Sequence, residues 1–453
     1  MITRIDGTEA ALARLSRQGR QDAQEMPAHF AARNREIFGE ELTGSEVVSR
    51  IIREVRAEGE SAVRRYTLAY DGGAPESFEV SRVEWEQAWR TIGPDLQSAL
   101  EAAAVRIEAF HQKQSRPSWI DPEPLGVFGQ LVRPLSRVGI YTPGGTAALP
   151  SSLLMIAVPA RVAGVKEVIV AAPPGRDGRI APVILAAALV AGVDRVFAVG
   201  GAQAIAALAY GTETIPQVDK ILGPGNLFVA LAKQQVFGVV DIDQIAGPTE
   251  TLIIADDTAD LELVAADMLA QSEHGVDSSA ILLTTSARIA DGIEAEIENQ
   301  LESLPRADIA ASSLNLNGVV ALVPSLADAI EVSNTYAPEH LCLLVEHPWD
   351  LVDLVRNAGG IFLGESSPEA LGDYLAGPSH VMPTGGTARF SSPVNVADFQ
   401  KVISIFGAKA EAVTALGDAT MTLARAEGLD GHASAIERRL RRQVEQSHST
   451  EEA

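Results

Sequence analysis

The chain alternates short apolar segments with helical segments from about residue 165 onward, and this alternation constrains its fold more than any other feature. Residues 165–172, 195–199 and 218–222 are nearly continuous apolar runs, and helical patterns separate them. Strands of that composition are buried on both faces, which occurs in parallel sheets covered by helices. A second series of the same kind begins at about residue 251. The sequence therefore predicts two α/β units.

The predicted fold class is α/β, with two Rossmann-like parallel-sheet units and helical N-terminal and C-terminal extensions. Residues 1 to about 115 and the tail after about residue 396 have helical spacing of apolar side chains. We interpret His111, at a helix end, as a surface residue. Strands are predicted at residues 127–132, 137–141, 165–172, 195–199, 218–222, 251–255, 280–285, 319–323, 341–345 and 360–363. Helices are predicted at residues 180–193, 203–210, 226–237, 260–272, 287–304, 327–333, 408–427 and 432–446.

The chain is acidic, and its charge excludes some classes of partner. Its 453 residues include 36 Lys and Arg against 60 Asp and Glu, a formal net charge of −24. Nucleic acids and anionic membranes need basic surfaces, so we expect neither as a partner. Cys342 is the one cysteine, which fits a reducing compartment, and the N-terminus lacks the apolar core of a signal peptide. We expect a cytoplasmic protein.

Three glycine-rich turns follow predicted strands and open predicted helices. They are residues 141–146, 200–204 and 222–226. Open α/β sheets bind ligands at such turns, where helix N-termini face an anion. None is a GxGxxG fingerprint, and backbone geometry alone can require glycine at a turn. Three turns with polar residues at their ends favour a nucleotide or phosphate site.

A pair of possible metal ligands stands at the end of a predicted helix. Gln271 and His274 are three residues apart, so both side chains project from one helical face. That spacing suits two ligands of one metal ion, although glutamine is an unusual ligand. The alternative is an ordinary helix C-terminus closed by His274 and Gly275.

Two further segments could contribute to a site. A loop rich in glycine and proline, residues 372–386, contains Asp373 and His380. Glu427 and His432 flank the break between the two tail helices. Long loops often carry functional residues, whereas a lone histidine near a helix start is usually exposed. Asp, His and Gln ligands would suit zinc, or manganese and cobalt.

A carboxylate and an imidazole stand side by side in the turn before one predicted strand. Pro338 stops the preceding helical pattern, and the apolar run 341–345 predicts a buried strand. Glu339 and His340 could therefore transfer protons at the mouth of a core strand. The alternative is an exposed turn that carries both residues by chance. We interpret Cys342 as a buried thiol rather than a nucleophile.

These segments match one family in its order along the chain. The chain resembles histidinol dehydrogenases from about residue 36 to residue 432. The matching segments are YTPGG (141–145), GGAQAIAALAYGT (200–212), DKILGPGN (219–226), DQIAGPTE (243–250), AQSEHG (270–275), YAPEHL (336–341), GDYLAGPSHVMPTGG (372–386) and EGLDGH (427–432). The resemblance implies oxidation of L-histidinol to L-histidine through an aldehyde, with two NAD⁺ reduced in sequence, as the final steps of histidine biosynthesis.

The resemblance also implies a role for each candidate residue. The zinc ligands, which hold the substrate through the metal, match Gln271, His274, Asp373 and His432. The last of these would come from the other subunit of a homodimer. The NAD contacts match Tyr141, Gln203 and Asn226. Further substrate contacts match Thr249, His380 and Glu427. His340, which also contacts the substrate, would be the base for hydride transfer, and Glu339 would activate the water that hydrates the aldehyde.

The same resemblance divides the chain by function. We expect an N-terminal helical segment (1–35), a substrate and metal domain (36–140 with 249–395), an NAD-binding Rossmann-like domain (141–248) and a helical dimerisation tail (396–453). Thr249 and Ser379 stand where Ser and Asn are frequent, and Pro393 replaces a more usual Gly. Alternative functions are a zinc and NAD dehydrogenase of another alcohol such as a sulfonated diol, a zinc hydrolase and a catalytically silent binding protein.

Overall fold

The chain forms two compact units. A computed structural model describes residues 2–17, 26, 28–144 and 148–451. The larger unit comprises Met1–Gln114 and Leu135–Phe399, and the smaller comprises Ser115–Pro134 and Gln400–Ala453. The division of the chain into substrate, NAD and dimerisation parts stays a prediction.

The strands and α-helices of both units follow in chain order, and they alternate through most of the larger unit. The strands are β1 (Thr3–Asp6), β2 (Trp119–Glu123), β3 (Gly126–Pro134), β4 (Arg137–Tyr141), β5 (Glu167–Ala172), β6 (Arg195–Ala198), β7 (Lys220–Leu222), β8 (Asp241–Ile242), β9 (Glu250–Ala255), β10 (Ser279–Thr284), β11 (Val319–Leu322), β12 (His340–Leu344), β13 (Gly360–Leu363) and β14 (Gln400–Ala408). The helices are α1 (Thr8–Leu15), α2 (Ala28–Phe38), α3 (Gly44–Glu58), α4 (Glu60–Asp71), α5 (Arg82–Thr91), α6 (Pro94–His111), α7 (Pro150–Ala163), α8 (Pro182–Val190), α9 (Gly201–Tyr210), α10 (Leu227–Val236), α11 (Leu261–Ser272), α12 (Ala287–Leu301), α13 (Ala307–Asn317), α14 (Leu326–Tyr336), α15 (Glu369–Tyr374), α16 (Ala410–Ala426) and α17 (Asp430–Glu451).

Two parallel sheets form the framework of the larger unit. The six-stranded sheet has the order β1-β11-β10-β9-β12-β13, and the five-stranded sheet has the order β6-β5-β4-β7-β8. Counted from β9 and from β4, both contain the order 3-2-1-4-5, which is the order of nucleotide-binding α/β sheets. β1 extends the six-stranded sheet at its edge through parallel pairing with β11. The prediction of two Rossmann-like parallel-sheet units is confirmed.

Alternate residues of the central strands face opposite helical layers. In β9, Ile253 packs in the cluster that contains Met268 of α11. Its neighbours Leu252 and Ile254 pack in the cluster that contains Val332 of α14. Because side chains of a strand alternate between its two faces, a strand covered on both sides must be apolar throughout. All residues of β9 and β12 are accordingly buried.

Three expectations from the sequence are wrong. β1 lies in a segment predicted to be helical, and it is an edge strand whose pairing with β11 depends on backbone hydrogen bonds rather than on an apolar run. β14 lies in the tail predicted to be helical and pairs antiparallel with β3. His111 is fully buried, because α6 packs against α7 and its ring Nδ1 lies 2.8 Å from the Ile107 carbonyl oxygen.

The smaller unit combines an antiparallel sheet with two helices. Its strands have the order β14-β3-β2, and α16 packs against α17. The helix pair confirms the two helices predicted for the tail. The buried apolar cluster between them contains Met421, Ala424 and Ala433. No helix in the described part of the chain is long and apolar enough to cross a membrane.

Candidate active site

The turn before β12 presents a carboxylate and an imidazole to the protein interior. α14 ends at Tyr336, and Ala337 takes the left-handed conformation with φ 54°. The Ala337 N–H donates to the Ser333 carbonyl at 2.8 Å, which closes the helix, and Pro338 prevents its continuation. Glu339 and His340 follow directly and are 6% and 3% exposed. The two residues are buried, so the exposed-turn alternative is wrong.

Glu339 is held by the residues at the start of β9. Its Oε2 accepts hydrogen bonds from the Thr249 hydroxyl at 2.6 Å and from the Glu250 backbone N–H at 2.9 Å. Burial raises the pKa of Glu339 to about 7, although the neighbouring His340 and these hydrogen bonds oppose the change. A carboxyl group with this pKa can both accept and release a proton at neutral pH.

His340 is surrounded by carboxylates. Its Nδ1 lies 3.1 Å from the Glu250 carbonyl oxygen, 3.7 Å from Glu339 Oε2 and 3.6 Å from Glu369 Oε1. Its Nε2 lies 3.7 Å from Asp373 Oδ1. Burial disfavours the charged ring, but the charges of Glu369, Glu339 and Asp373 outweigh it and raise the pKa of His340 to about 10.

Glu369 is a site residue that the sequence analysis missed. It begins α15, is 3% exposed, and burial raises its pKa to about 7. It stands one helical turn before Asp373, and carboxylates four residues apart on a helix project from one face. The four-residue spacing between Glu369 and Asp373 is the sequence feature that could have indicated Glu369 as part of the site. The sequence places both residues in the same short helix, but only the fold places His340 against them.

Gln271 is connected to the acid–base pair through Thr249. The Gln271 side chain is fully buried, and its Nε2 donates to the Thr249 hydroxyl oxygen at 2.8 Å. The same hydroxyl donates to Glu339, so the three side chains form one hydrogen-bonded chain. Gln271 Oε1 has no hydrogen-bond partner in the described residues. A buried oxygen without a partner is costly, which favours a role as a ligand atom.

Asp373 and two histidines complete this group. The His380 Nδ1 lies 3.9 Å from Asp373 Oδ1 and 2.6 Å from its backbone oxygen. Burial would raise the pKa of Asp373, but the bond and charge of His340 and the nearby His380 and His274 hold it below its usual range. His274 follows α11 and is exposed, but partial desolvation lowers its pKa although Asp373 opposes this change, which favours the neutral imidazole that binds a metal.

The residues predicted to bind zinc divide between the two units. Gln271, His274 and Asp373 belong to the larger unit, and His432 belongs to the smaller one. The described residues contain no group of three His, Cys, Asp or Glu side chains arranged to hold a metal ion. Of the three predicted ligands in the larger unit, His274 and Asp373 are of these residue types and Gln271 is not. The predicted ligands therefore cannot form such a group of three. The orphaned Gln271 oxygen, a neutral imidazole and a carboxylate are donors that fit zinc.

The predicted substrate contacts Glu427 and His432 also lie in the smaller unit. Glu427 follows α16, and His432 lies in the first turn of α17. Both are exposed. Their roles stay predictions.

The three glycine turns lie at the carboxyl ends of β4, β6 and β7. Tyr141 ends β4, and its hydroxyl accepts from the Gly201 N–H at 3.2 Å. Asn226 caps α10 by accepting from two backbone N–H groups. Gln203 is 1% exposed, and its Nε2 has no hydrogen-bond partner in the described part of the chain. Residues 145 and 146 of the first turn lie outside the described residues.

Backbone geometry requires glycine at position 223, in the turn after β7. Gly223 has φ +117°, and a Cβ there would stand 2.1 Å from the Tyr141 carbonyl oxygen. The buried Lys233 donates to the Gly223 carbonyl at 3.0 Å and pairs with Asp243, which accepts from the Gly223 N–H at 2.7 Å. The turn after β7 is therefore held closely against the end of β4.

The two sheets contribute opposite ends to one region. Glu250 and His340 begin β9 and β12, so the acid–base group lies at the amino ends of the six-stranded sheet. Ser152, in the first turn of α7, follows the carboxyl end of β4. Its hydroxyl lies 3.0 Å from His380 Nε2. This contact brings the glycine turns of the five-stranded sheet next to the acid–base group, which the sequence could not show.

The unusual residues noted in the sequence fit the structure. The Thr249 hydroxyl makes both of the bonds described above. The Ser379 hydroxyl donates to the Met155 carbonyl at 3.2 Å and accepts from the Val381 N–H at 3.2 Å. The Pro393 carbonyl accepts from the Asn395 side chain at 2.9 Å. Cys342 is buried, as predicted.

A buried acid–base group beside glycine turns on a 3-2-1-4-5 sheet is typical of enzymes that act on a small molecule with a bound nucleotide. The family comparison makes this class specific. The chain belongs to the histidinol dehydrogenase family, whose model matches residues 38–440. The prediction of this family is confirmed.

Individual relatives agree with this assignment. The histidinol dehydrogenase of Deinococcus radiodurans is 51% identical over 418 residues, which cover 92% of this chain and 95% of the relative. The histidinol dehydrogenase of Thermus thermophilus is 51% identical over 417 residues, which cover 92% of this chain and 99% of the relative. A crystal structure of histidinol dehydrogenase from Elizabethkingia anophelis is 34% identical, with a TM-score of 0.86 and 98% of each chain covered.

The Arg17–Glu250 ion pair should stabilise the site. An Arg17 guanidinium nitrogen lies 2.6 Å from Glu250 Oε2, and both side chains are largely buried. Arg17→Met should lower the free energy of unfolding by about 3 kcal/mol, because the carboxylate stays buried without this cation. Burial already raises the pKa of Glu250, and the substitution should raise it further. The folded state then favours the protonated carboxyl, so the loss should grow as the pH rises from about 5 to about 8.

Denaturant unfolding at several pH values measures this effect. Arg90→Met is the matched control, since Arg90 and Glu86 are exposed and 4.0 Å apart. The control should change stability by no more than about 0.5 kcal/mol. Equal losses in both variants, or a loss that shrinks as the pH rises, would contradict the role given to Arg17.

Proposed function

We propose that this chain oxidises L-histidinol to L-histidine through the aldehyde, reducing two NAD⁺ in sequence in the final steps of histidine biosynthesis. The observation that carries the proposal is the buried pair Glu339 and His340. The backbone of Glu250 contacts both residues, because its N–H donates to Glu339 and its carbonyl oxygen lies 3.1 Å from His340 Nδ1. Oxidation of an alcohol to an acid needs a base for each hydride step and an activated water between them. Relatives at 51% identity that carry the name histidinol dehydrogenase support this substrate.

His340 is the base for both hydride steps. It accepts the hydroxyl proton while a hydride leaves the same carbon for the nicotinamide of NAD⁺, and it repeats this with the hydrated aldehyde. In the chain alone its raised pKa leaves the ring protonated at neutral pH. The zinc ion, bound by Gln271, His274 and Asp373, would hold the substrate nitrogens and add positive charge that lowers this pKa.

Glu339 activates the water that hydrates the aldehyde. Its pKa of about 7 lets it take a proton from water at neutral pH. Thr249 and the Glu250 N–H orient its carboxylate, so the proton acceptor is already positioned before the water arrives. Keeping both steps in one buried site also retains the reactive aldehyde between them.

NAD⁺ binds along the carboxyl ends of the five-stranded sheet. Tyr141, Gln203 and Asn226 line the three glycine turns there, and helix N-termini face the place where the phosphates would lie. The buried Gln203 Nε2 and Thr142 Oγ1 have no hydrogen-bond partner in the described residues. Such groups are available to a polar ligand. The Ser152–His380 contact supports a nicotinamide position beside His340.

A homodimer would complete the site through His432 and Glu427 of the second subunit. The smaller unit supports association, because its buried apolar cluster is small and large apolar side chains are exposed on its strands. These exposed side chains are Trp119, Ile120, Val402, Ile403 and Phe406. The cytoplasmic location expected from the sequence stays a prediction.

The proposal predicts a fixed stoichiometry. Zinc-loaded protein given L-histidinol and excess NAD⁺ should form two NADH for each histidine, because both oxidations use the same acceptor. Absorbance at the NADH band and amino-acid analysis measure the two products. A parallel panel of other alcohols, including a sulfonated diol, tests the competing substrate. No NADH from histidinol, with turnover of another alcohol, would exclude the proposed substrate.

Substitutions should separate the two catalytic residues. Glu339→Gln should oxidise added histidinal at least about 100-fold more slowly while retaining more of the alcohol step, because general base catalysis contributes about 10²- to 10⁴-fold. His340→Ala should slow both steps. Single-turnover measurements with histidinol and with histidinal compare the steps directly. Equal loss of both steps in Glu339→Gln would contradict the division of roles.

Mixed dimers test whether the site is shared. His432→Ala and Gln271→Ala chains should each be inactive alone. When they are mixed and allowed to exchange subunits, one site of each heterodimer should have a complete ligand set, so activity should return to at most about half of the wild-type value per dimer. No recovery in heterodimers that are shown to form would place His432 outside the partner's site.

A further inference from the structure

Asp71 is a partly buried acidic residue that the proposed reaction does not use. It is the last residue of α4, and Gly72 follows in the left-handed conformation. The Asp71 Oδ2 atom is buried and has no hydrogen-bond partner in the described part of the chain. A carboxylate at a helix C-terminus also faces the negative end of the helix dipole. The fold therefore gains nothing evident from this charge.

Arg33 offsets the burial of the Asp71 carboxyl only in part. Burial raises its pKa to about 6, although Arg33 opposes the change. The Arg33 guanidinium donates twice to the Ala69 carbonyl, at 3.1 Å and 2.8 Å. These two N–H groups therefore bond a carbonyl in the last turn of α4. Sites that keep an unfavourable group at a cost in stability are often ligand sites.

The backbone places Asp71 beyond the carboxyl end of the five-stranded sheet. Residues 78–80 run antiparallel beside β6, with Glu79 opposite Phe197. The segment that precedes Phe78 therefore passes the carboxyl end of β6. A Cβ on Gly73 would lie 3.6 Å from the Arg176 carbonyl oxygen, in the loop after β5. The Asp71 charge also contributes to the raised pKa of Tyr141, at the end of β4.

This position matches a requirement of dinucleotide binding. In sheets of this order the ribose of the adenosine half lies near the end of the second strand, where an acidic side chain accepts from its hydroxyls. The second strand here is β5, and it ends in Ala171, Ala172, Pro173 and Pro174, without an acid. The next carboxylate, Asp177, is exposed and accepts from the Arg179 N–H in its own loop.

We propose that the Asp71 carboxylate accepts hydrogen bonds from the adenosine ribose of NAD⁺, and that its charge excludes the 2′-phosphate of NADP⁺. The inference rests on the proposed function, since it names the coenzyme contact of that same reaction. A helix from the N-terminal part of the chain thus supplies the acid that the end of β5 lacks. Asp71 selects the coenzyme and takes no part in the hydride or proton transfers.

The test compares wild type, Asp71→Asn and the control Asp177→Asn as full-length, zinc-loaded enzymes. Asp71→Asn should raise the KM for NAD⁺ about 10- to 100-fold, the range for loss of a hydrogen bond to a charged group. Its kcat should stay within about threefold, and its preference should move toward NADP⁺ by at least about tenfold. Asp177→Asn should match the wild type. An unchanged preference in Asp71→Asn, or the same change in Asp177→Asn, would overturn the inference.

Two further measurements exclude a merely structural role. The thermal midpoint of Asp71→Asn at pH 8 should equal or exceed that of wild type, because the substitution removes an unfavourable buried charge. Wild-type enzyme should bind 2′-deoxy-NAD⁺ about tenfold more weakly than NAD⁺, whereas Asp71→Asn should bind the two within about threefold. Equal binding of the two nucleotides by wild type would overturn the inference without any variant.

Calorimetric binding separates this inference from the proposed function. Lack of histidinol oxidation by wild type would refute the function. In that case the nucleotide affinities of wild type and Asp71→Asn, measured without substrate, would still support or overturn the coenzyme contact.

Discussion

The site depends on the register between β9 and β12. Pairing of His340 with Thr251 places the backbone of Glu250 between the two proton-transfer groups. Its N–H then donates to Glu339 and its carbonyl faces the His340 ring. A shift of one residue would turn every side chain of β12 to the opposite face, which buried strands do not tolerate. The same apolar packing that stabilises the sheet therefore positions Glu339 and His340.

The second constraint is the way in which the two sheets meet. Parallel α/β sheets usually bind ligands at their carboxyl ends, and the three glycine turns of the five-stranded sheet lie at those ends. The six-stranded sheet instead contributes the amino ends of β9 and β12, together with the last turn of α11. The loop carrying His380 joins the two ends through Ser152. In the proposed function, an alcohol held at one sheet would face a nucleotide held at the other.

Local patterns in the sequence predicted most of the framework and part of the site. The apolar runs gave the central strands to within a few residues, because a doubly covered strand must be apolar throughout. Gln271 lies in the last turn of α11 and His274 follows the helix, so the shared helical face expected from their spacing stays a prediction. β1 and β14 were missed, since edge and antiparallel pairing leave a weaker apolar signal. Glu369 and Glu250 were missed because nothing near them in the sequence indicates that both face His340.

The sequence by itself determined the apolar central strands, the positions of the glycine turns and the family, since each depends on residues close together in the chain or on a direct match. Only the tertiary structure decided which charges share one buried space. The raised pKa of His340 comes from Glu369, Glu339 and Asp373, and two of these lie about 30 residues away along the chain. Electrostatic effects depend on distance and burial in space. For the same reason, only the fold showed that the chain around Asp71 lies near the carboxyl ends of β5 and β6.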